Sequence, residues 1–176
     1  MILQEPGTRF WAPNIVEKDH YRGDGLLVWA GIATNVRTEL YVFAGCSFTA
    51  LRYREGILHP LVRSFIAAMG TDTIFMDDNA RPHRARMMLS YLENETFPQI
   101  AWLARSPDLN PIEHVWDMLG RLIAGRSGPP GTLHELQQAL LQDWALLPQQ
   151  AINDTIVTMP RLCQACISAR GYQTRY

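Results

Sequence analysis

The chain has 176 residues, a formal net charge of −1 and a hydrophobic content of 47%. This length suits one domain with a sizeable core, and a charge so near zero excludes a global electrostatic attraction to nucleic acid. Three cysteines are too few for a disulfide framework, and no apolar run is long enough to span a membrane. We therefore expect a soluble globular protein that has no membrane partner.

The first part of the chain predicts an irregular lead-in followed by a hairpin. Residues 1–22 contain two prolines and mixed charge and are typical of irregular structure. The apolar run Leu26–Ala33 predicts a strand that is covered on both faces. Asn35 suits a turn, and Glu39–Phe43 predicts the returning strand.

A helix is predicted next, from a cap at Thr49 to about Met69, with Gly70 as its stop. Its buried side is expected to comprise Leu51, Ile57, Leu58, Leu61, Val62, Phe65 and Ile66. The segment Thr73–Met76 predicts a further strand, which leads directly to Asp78.

The second half predicts a helix from about Arg84 to Asn94, a short strand at Gln99–Leu103 and then more helix. Asn110 and Pro111 are suited to the start of a helix. Thr132–Glu135 has the pattern of a capping box and predicts a helix to about Leu147. The last helix is expected from Pro148 to about Ala169, kinked or interrupted at Pro160.

This order of elements predicts α/β architecture with a mixed sheet. We divide the chain into the lead-in (1–22), a core (23–125), a linker (126–131) and two C-terminal helices that pack on the core (132–176).

Two carboxylates that lie far apart in the sequence are candidates for one shared site. Asp78 follows a strand, Glu113 lies in the first turn of a helix, and 34 residues separate them. If they converge, they form an oxygen site for a hard divalent cation such as Mg²⁺. Each also has a structural explanation, since Asp78 can cap a turn and Glu113 can complete a capping box with Asn110. Asp77 is expected on the opposite face of the strand, in solvent.

Two motifs around these acids carry a resemblance to a known family. Asp78-Asn79-Ala80, followed by His83, and the run from Ser106 to Glu113 (Ser-Pro-Asp-Leu-Asn-Pro-Ile-Glu) resemble mariner-type DNA transposases. The similarity is to the branch whose third carboxylate is glutamate, and it extends over nearly the whole chain. It implies a ribonuclease-H-like fold and a metal-dependent enzyme that cleaves DNA strands and joins them to a target.

The resemblance implies Asp78 and Glu113 as catalytic residues and ligands of Mg²⁺ or Mn²⁺, in a site that holds two metal ions in the intact family. The implied partners are transposon ends and target DNA in the nucleus. The resemblance is also compatible with a homodimer, and it implies no small-molecule substrate. The family's first catalytic aspartate lies on the first strand of the core, and Met1–Pro6 matches the segment after that strand. We therefore expect an N-terminally truncated remnant that lacks this strand and is inactive on its own.

Other assignments remain open from the residues alone. Arg81, His83, Arg84 and Arg105 flank the proposed site and are candidates for DNA contacts, although a solvated helix face explains them equally well. A non-enzymatic protein that binds DNA or a protein partner is one alternative to the transposase. A ribonuclease-H-like nuclease is another, so the sequence leaves open whether this chain is itself an enzyme.

Overall fold

The computed structural model describes residues 25–43, 45, 48–70, 73–77, 80, 82–95, 97–100 and 109–169. In chain order the strands are β1 (Val28–Trp29), β2 (Ile32–Ala33), β3 (Val36–Arg37) and β4 (Tyr41–Val42). The helices are α1 (Ala50–Tyr53), a π-helical segment (Arg54–Val62), α2 (Arg63–Met69), α3 (Arg86–Asn94), α4 (Pro111–Ala124), α5 (Leu133–Leu146) and α6 (Gln149–Ser168).

The predicted hairpin is confirmed, and it contains a bulge. β1 pairs antiparallel with β4, β2 pairs antiparallel with β3, and Asn35 has a positive φ of 67° at the turn. Between the two ladders, Ala30 and Gly31 lie opposite the three residues 38–40. This extra residue increases the local twist of the hairpin.

One helical run extends from Ala50 to Met69, as the sequence predicts at both ends. Thr49 caps it by accepting a hydrogen bond from the Arg52 amide, and Gly70 ends it with a φ of 95°. The run is not purely α-helical, because Pro60 lacks an amide proton and its ring clashes with the carbonyl one turn earlier. A π-helical stretch accommodates it, and the Arg63 amide there donates to the Leu58 carbonyl, five residues back.

Of the strand predicted before Asp78, only a single β-bridge is confirmed. Phe75 forms a parallel bridge with Gln99, in which the Phe75 amide donates to the Pro98 carbonyl at 2.8 Å and its carbonyl accepts from the Ile100 amide at 3.2 Å. The predicted strand at Gln99–Leu103 therefore begins as expected, and residues 101–103 lie outside the described residues.

Two hydrophobic clusters lie on opposite faces of the hairpin strand, because its side chains alternate. Cluster A is formed by α4, α5, α6 and the side chains of Val28, Ala30 and Ile32. Cluster B is formed by the helical run, α3 and the side chains of Leu27, Trp29 and Phe75. Leu51 is 53% exposed, so the prediction that it belongs to the buried side of its helix is wrong.

The two C-terminal helices contribute to cluster A, with Trp144, Leu147 and Ile152 all buried there. α6 runs through Pro160 as a single helix, so an interruption at that proline is not found.

Arg126 binds both carboxylate oxygens of Asp143 on α5, at 2.7 and 3.1 Å. That hydrogen bonding raises the pKa of Arg126.

The predicted capping box of α5 is confirmed and gives a first testable expectation. The Thr132 hydroxyl accepts from the Glu135 amide at 3.2 Å, and the Glu135 carboxylate accepts from the Thr132 amide at 3.2 Å. We expect Thr132→Ala to lower the free energy of unfolding by about 1 kcal/mol, since an N-cap oxygen is lost. Urea denaturation measures the change. Thr132→Ser keeps the oxygen and should change stability much less; equal losses for the two variants would contradict the capping role.

Candidate active site

A cavity of about 850 Å³ lies between the hairpin and the Phe75 strand. Its walls are mostly apolar, and most of its ionisable and amide groups come from the segment that follows the strand and from the start of α4. These residues are Asp77, His83, Asn110 and Glu113. The cavity therefore brings together the two stretches of sequence that carry the candidate site.

Glu113 is positioned by the start of α4. Asn110 is 6% exposed and caps the helix by accepting from the Ile112 amide at 3.4 Å, and Pro111 occupies the first helical position, where its missing amide proton costs nothing. The Glu113 amide donates to the Asn110 carbonyl at 3.0 Å. A helix N-terminus stabilises negative charge, so this position favours the ionised carboxylate that a metal requires.

The other candidate carboxylate, Asp78, lies outside the described residues. Its neighbour Asp77 is described and lines the same cavity as Glu113. Asp77 is half-buried and its Oδ2 atom is inaccessible to solvent, so the prediction that Asp77 is solvated is wrong. Sequence reasoning missed this because it treated the opposite face of the strand as solvent, whereas Phe75 on that face packs into cluster B.

His83 forms part of the cavity wall beside cluster B. Its ring lies 4.2 Å from that of Tyr53 and 5.5 Å from that of Phe48, measured between centroids. Arg84 is exposed. Arg81 and Arg105, the other two candidates for DNA contacts, lie outside the described residues.

The donor set suits a hard cation but is small. Asp77, Asn110 and Glu113 offer only oxygen ligands, which Mg²⁺ and Mn²⁺ prefer. Within the described part of the chain, no group of three or more His, Cys, Asp or Glu side chains is placed to hold a metal ion. The described donors alone therefore do not make up a metal site, and a cation here would need at least one further ligand.

Comparison with known proteins identifies relatives of this chain. The chain is 36% identical over 125 residues to the Tc1 transposable-element transposase of Caenorhabditis elegans, a match that covers 69% of the chain and 44% of the relative. It is 30% identical over 158 residues to the Tcb1 transposase of Caenorhabditis briggsae, covering 88% of the chain and 55% of the relative. The chain belongs to the Tc1/mariner family of transposases. It spans about half the length of these curated relatives, and no family model matches it.

Solved structures agree with this Tc1/mariner assignment at the level of the fold. The catalytic domain of Mos1 transposase, solved with raltegravir and Mg, matches with a TM-score of 0.71 at 20% identity and covers 86% of this chain and 77% of that one. A Mos1 paired-end complex with the left transposon end matches with a TM-score of 0.76 at 18% identity, over 99% and 51% of the two chains. The fold of this chain is thus the ribonuclease-H-like fold of the Mos1 catalytic domain, as the sequence predicts.

The solved Mos1 structures include forms with metal ions and assembled complexes. Mos1 catalytic domains have been solved with Mg and with Mn, and Mos1 is also known as paired-end and strand-transfer complexes. Divalent metal and a transposon end are thus known in structures of Mos1 itself. Among the described residues, no helix of this Tc1/mariner chain is both long and apolar enough to cross a bilayer.

Proposed function

We propose that this chain is the catalytic portion of a DNA transposase, whose reaction is metal-dependent cleavage and joining of DNA strands. The observation that carries the proposal is that Glu113 and Asp77, the immediate neighbour of Asp78, line one cavity in a fold shared with a transposase catalytic domain. Transposon ends and target DNA are the proposed substrates, in the nucleus, with a homodimer as the proposed assembly.

Asp78 and Glu113 are the proposed metal ligands. Asp78 directly follows Asp77, which lines the same cavity as Glu113. Glu113 is mounted in the first turn of α4. A bound Mg²⁺ or Mn²⁺ would polarise the scissile phosphate and lower the pKa of the attacking water or hydroxyl.

The surrounding residues have proposed supporting roles. Arg84, with Arg81 and Arg105, would contact DNA phosphates. His83 stacks against Tyr53, which supports a role in holding the segment after the strand in place. We also propose that the C-terminal helices (132–176) pack on the core (23–125), because α4 and α5 share cluster A.

A metal-binding and plasmid-nicking experiment tests this proposal. We expect the chain to bind Mn²⁺ weakly and to leave supercoiled plasmid uncut, because the described residues supply too few carboxylates to position a pair of ions. Asp78→Asn and Glu113→Gln should each weaken Mn²⁺ binding at least tenfold in calorimetry. Glu93→Gln, at an exposed site on α3, is the matched control and should bind like the unsubstituted chain.

Other outcomes would point to other functions. Mn²⁺ affinity that is unchanged in both Asp78→Asn and Glu113→Gln would reject these residues as ligands. DNA binding that survives the double substitution to alanine, without any cleavage, would favour a non-enzymatic binding protein. Cleavage of RNA–DNA hybrids without strand transfer would favour a nuclease of the ribonuclease-H type, and plasmid nicking that Asp78→Ala abolishes would show that this chain is active.

A further inference from the structure

Two cysteines on α6 have no role in the candidate active site. Cys163 and Cys166 are three residues apart, which is the spacing of half a zinc site but also suits two small side chains packed in a core. Cys163 is exposed, Cys166 is half-buried, and neither is in a disulfide. Neither cysteine lines the 850 Å³ cavity. Core packing therefore does not explain Cys163.

The helix around the two cysteines is intact, and its geometry favours a metal over a disulfide. The Ala169 amide still donates to the Ala165 carbonyl at 2.9 Å, so the cysteines share one helix face, with Cβ atoms about 5–6 Å apart. A disulfide requires Cβ atoms about 3.5–4.5 Å apart. Two thiolates on one Zn²⁺ need only bring their sulfur atoms to about 3.8 Å, the edge of a tetrahedron with Zn–S bonds of about 2.3 Å.

The helix face that carries the cysteines extends beyond the core. Ile152 is fully buried in cluster A, and Cys163 follows it by eleven residues, about three turns, and so projects to the same side. Among the described residues of α6, none after Thr155 is buried. Met159 and Ile167 lie one turn before and one turn after Cys163, and Ile167 is 68% exposed. An apolar stripe therefore flanks the two thiols.

The two thiols supply half of a ligand set. Structural zinc sites hold about four protein ligands in a tetrahedron. Within the described ranges, no set of three or more His, Cys, Asp or Glu side chains could hold a metal ion. A second copy of the chain can supply the same pair, because a two-fold axis places the same residues on both sides of an interface. The exposure of Cys163 leaves room for that approach.

We propose that Cys163 and Cys166 of two copies bind one Zn²⁺ between their α6 helices, in a site of four thiolates. Thiolates prefer Zn²⁺ to the hard ions Mg²⁺ and Mn²⁺. Each thiol gives up its proton to solvent as its Zn–S bond forms, and no electron is transferred. Met159 and Ile167 of the two copies then cover the metal and limit the access of water to it.

Metal titration and measurement of molecular mass test the proposal without DNA or Mg²⁺, so the result is independent of the proposed function. The full chain, reduced and freed of metal, is titrated with Zn²⁺. We expect saturation at one Zn²⁺ per two chains, because a structural zinc ion takes about four ligands. Analytical ultracentrifugation should show a monomer that becomes a dimer with Zn²⁺ and returns to a monomer with EDTA. Co²⁺ in place of Zn²⁺ should give the strong visible absorption of tetrahedral thiolate coordination.

Substitutions identify the ligands. Cys163→Ser and Cys166→Ser should each weaken Zn²⁺ binding at least tenfold and prevent the change to a dimer. Cys46→Ser removes the remaining cysteine of the chain; it is the matched control and should bind Zn²⁺ like the unsubstituted chain. Cys163→Ser combined with Gln164→Cys keeps the number of cysteines but places the pair two residues apart, on different helix faces. This shifted pair should bind as weakly as Cys163→Ser alone, and circular dichroism checks that every variant is folded.

Five results would overturn the proposal. Saturation at one Zn²⁺ per chain without a change in mass would place the site within a single copy. Weaker binding by Cys46→Ser would make Cys46 a ligand. Undiminished binding by the shifted pair would show that the helix spacing does not matter. A dimer that persists in EDTA and in Cys163→Ser would show that another surface joins the two copies. Zn²⁺ binding by the unsubstituted chain no tighter than that of Cys163→Ser would exclude the site altogether.

Discussion

Trp144→Ala is expected to lower the free energy of unfolding by about 3–5 kcal/mol, the range for removing a large buried aromatic side chain. Trp144 is 2% exposed and lies where three parts of the chain meet. Its ring packs 5.5 Å from that of Trp116 on α4, and its Nε1 donates to the Thr38 carbonyl of the hairpin at 3.0 Å. The guanidinium of Arg37 lies 5.5 Å above the same ring.

The substitution therefore removes packing, a hydrogen bond and a cation–π contact together. Urea denaturation followed by far-ultraviolet circular dichroism measures the loss without depending on tryptophan fluorescence. Trp144→Phe keeps most of the buried area and should lose clearly less. Leu146→Ala, at a side chain on the same helix that is 78% exposed, should stay within about 0.5 kcal/mol of the unsubstituted chain. Losses of the same size at residues 144 and 146 would refute the described packing of α5.

Much of the local structure could be predicted because a few neighbouring residues determine it. Thr49 and Gly70 delimit the long helical run, and Thr132 with Glu135 opens α5. Asn35 adopts the left-handed conformation that Asn tolerates better than most residues. Caps and turns of this kind depend on hydrogen bonds over three or four residues, so the sequence contains the whole signal.

The candidate site could be predicted only in part, because it depends on contacts between distant segments. The position of Glu113 follows from its own helix start. The burial of Asp77 does not, since it depends on the cluster formed by the distant helical run and α3. The 850 Å³ cavity is of the same kind: nothing within residues 27–34 or 73–77 alone shows that these two segments line one space.

Pro60 illustrates a different limit of sequence reasoning. Helical spacing places Leu51 and Leu58 on the same face, because seven residues are nearly two turns of an α-helix. In the structure Leu58 is fully buried and Leu51 is 53% exposed. The π-helical segment that begins at Arg54 has more residues per turn and rotates the later side chains relative to the earlier ones.

This rotation leads to the second large expected effect. Leu58→Ala should lower the free energy of unfolding by about 2–5 kcal/mol, because it opens a cavity in cluster B. Leu51→Ala is the matched control, with the same chemical change in the same helical run and little difference in helix propensity, and it should cost less than about 1 kcal/mol. Urea denaturation of both variants gives the comparison. Equal and large losses would mean that both leucines are buried on one face, as in an uninterrupted α-helix, and that the π-helical segment does not form in solution.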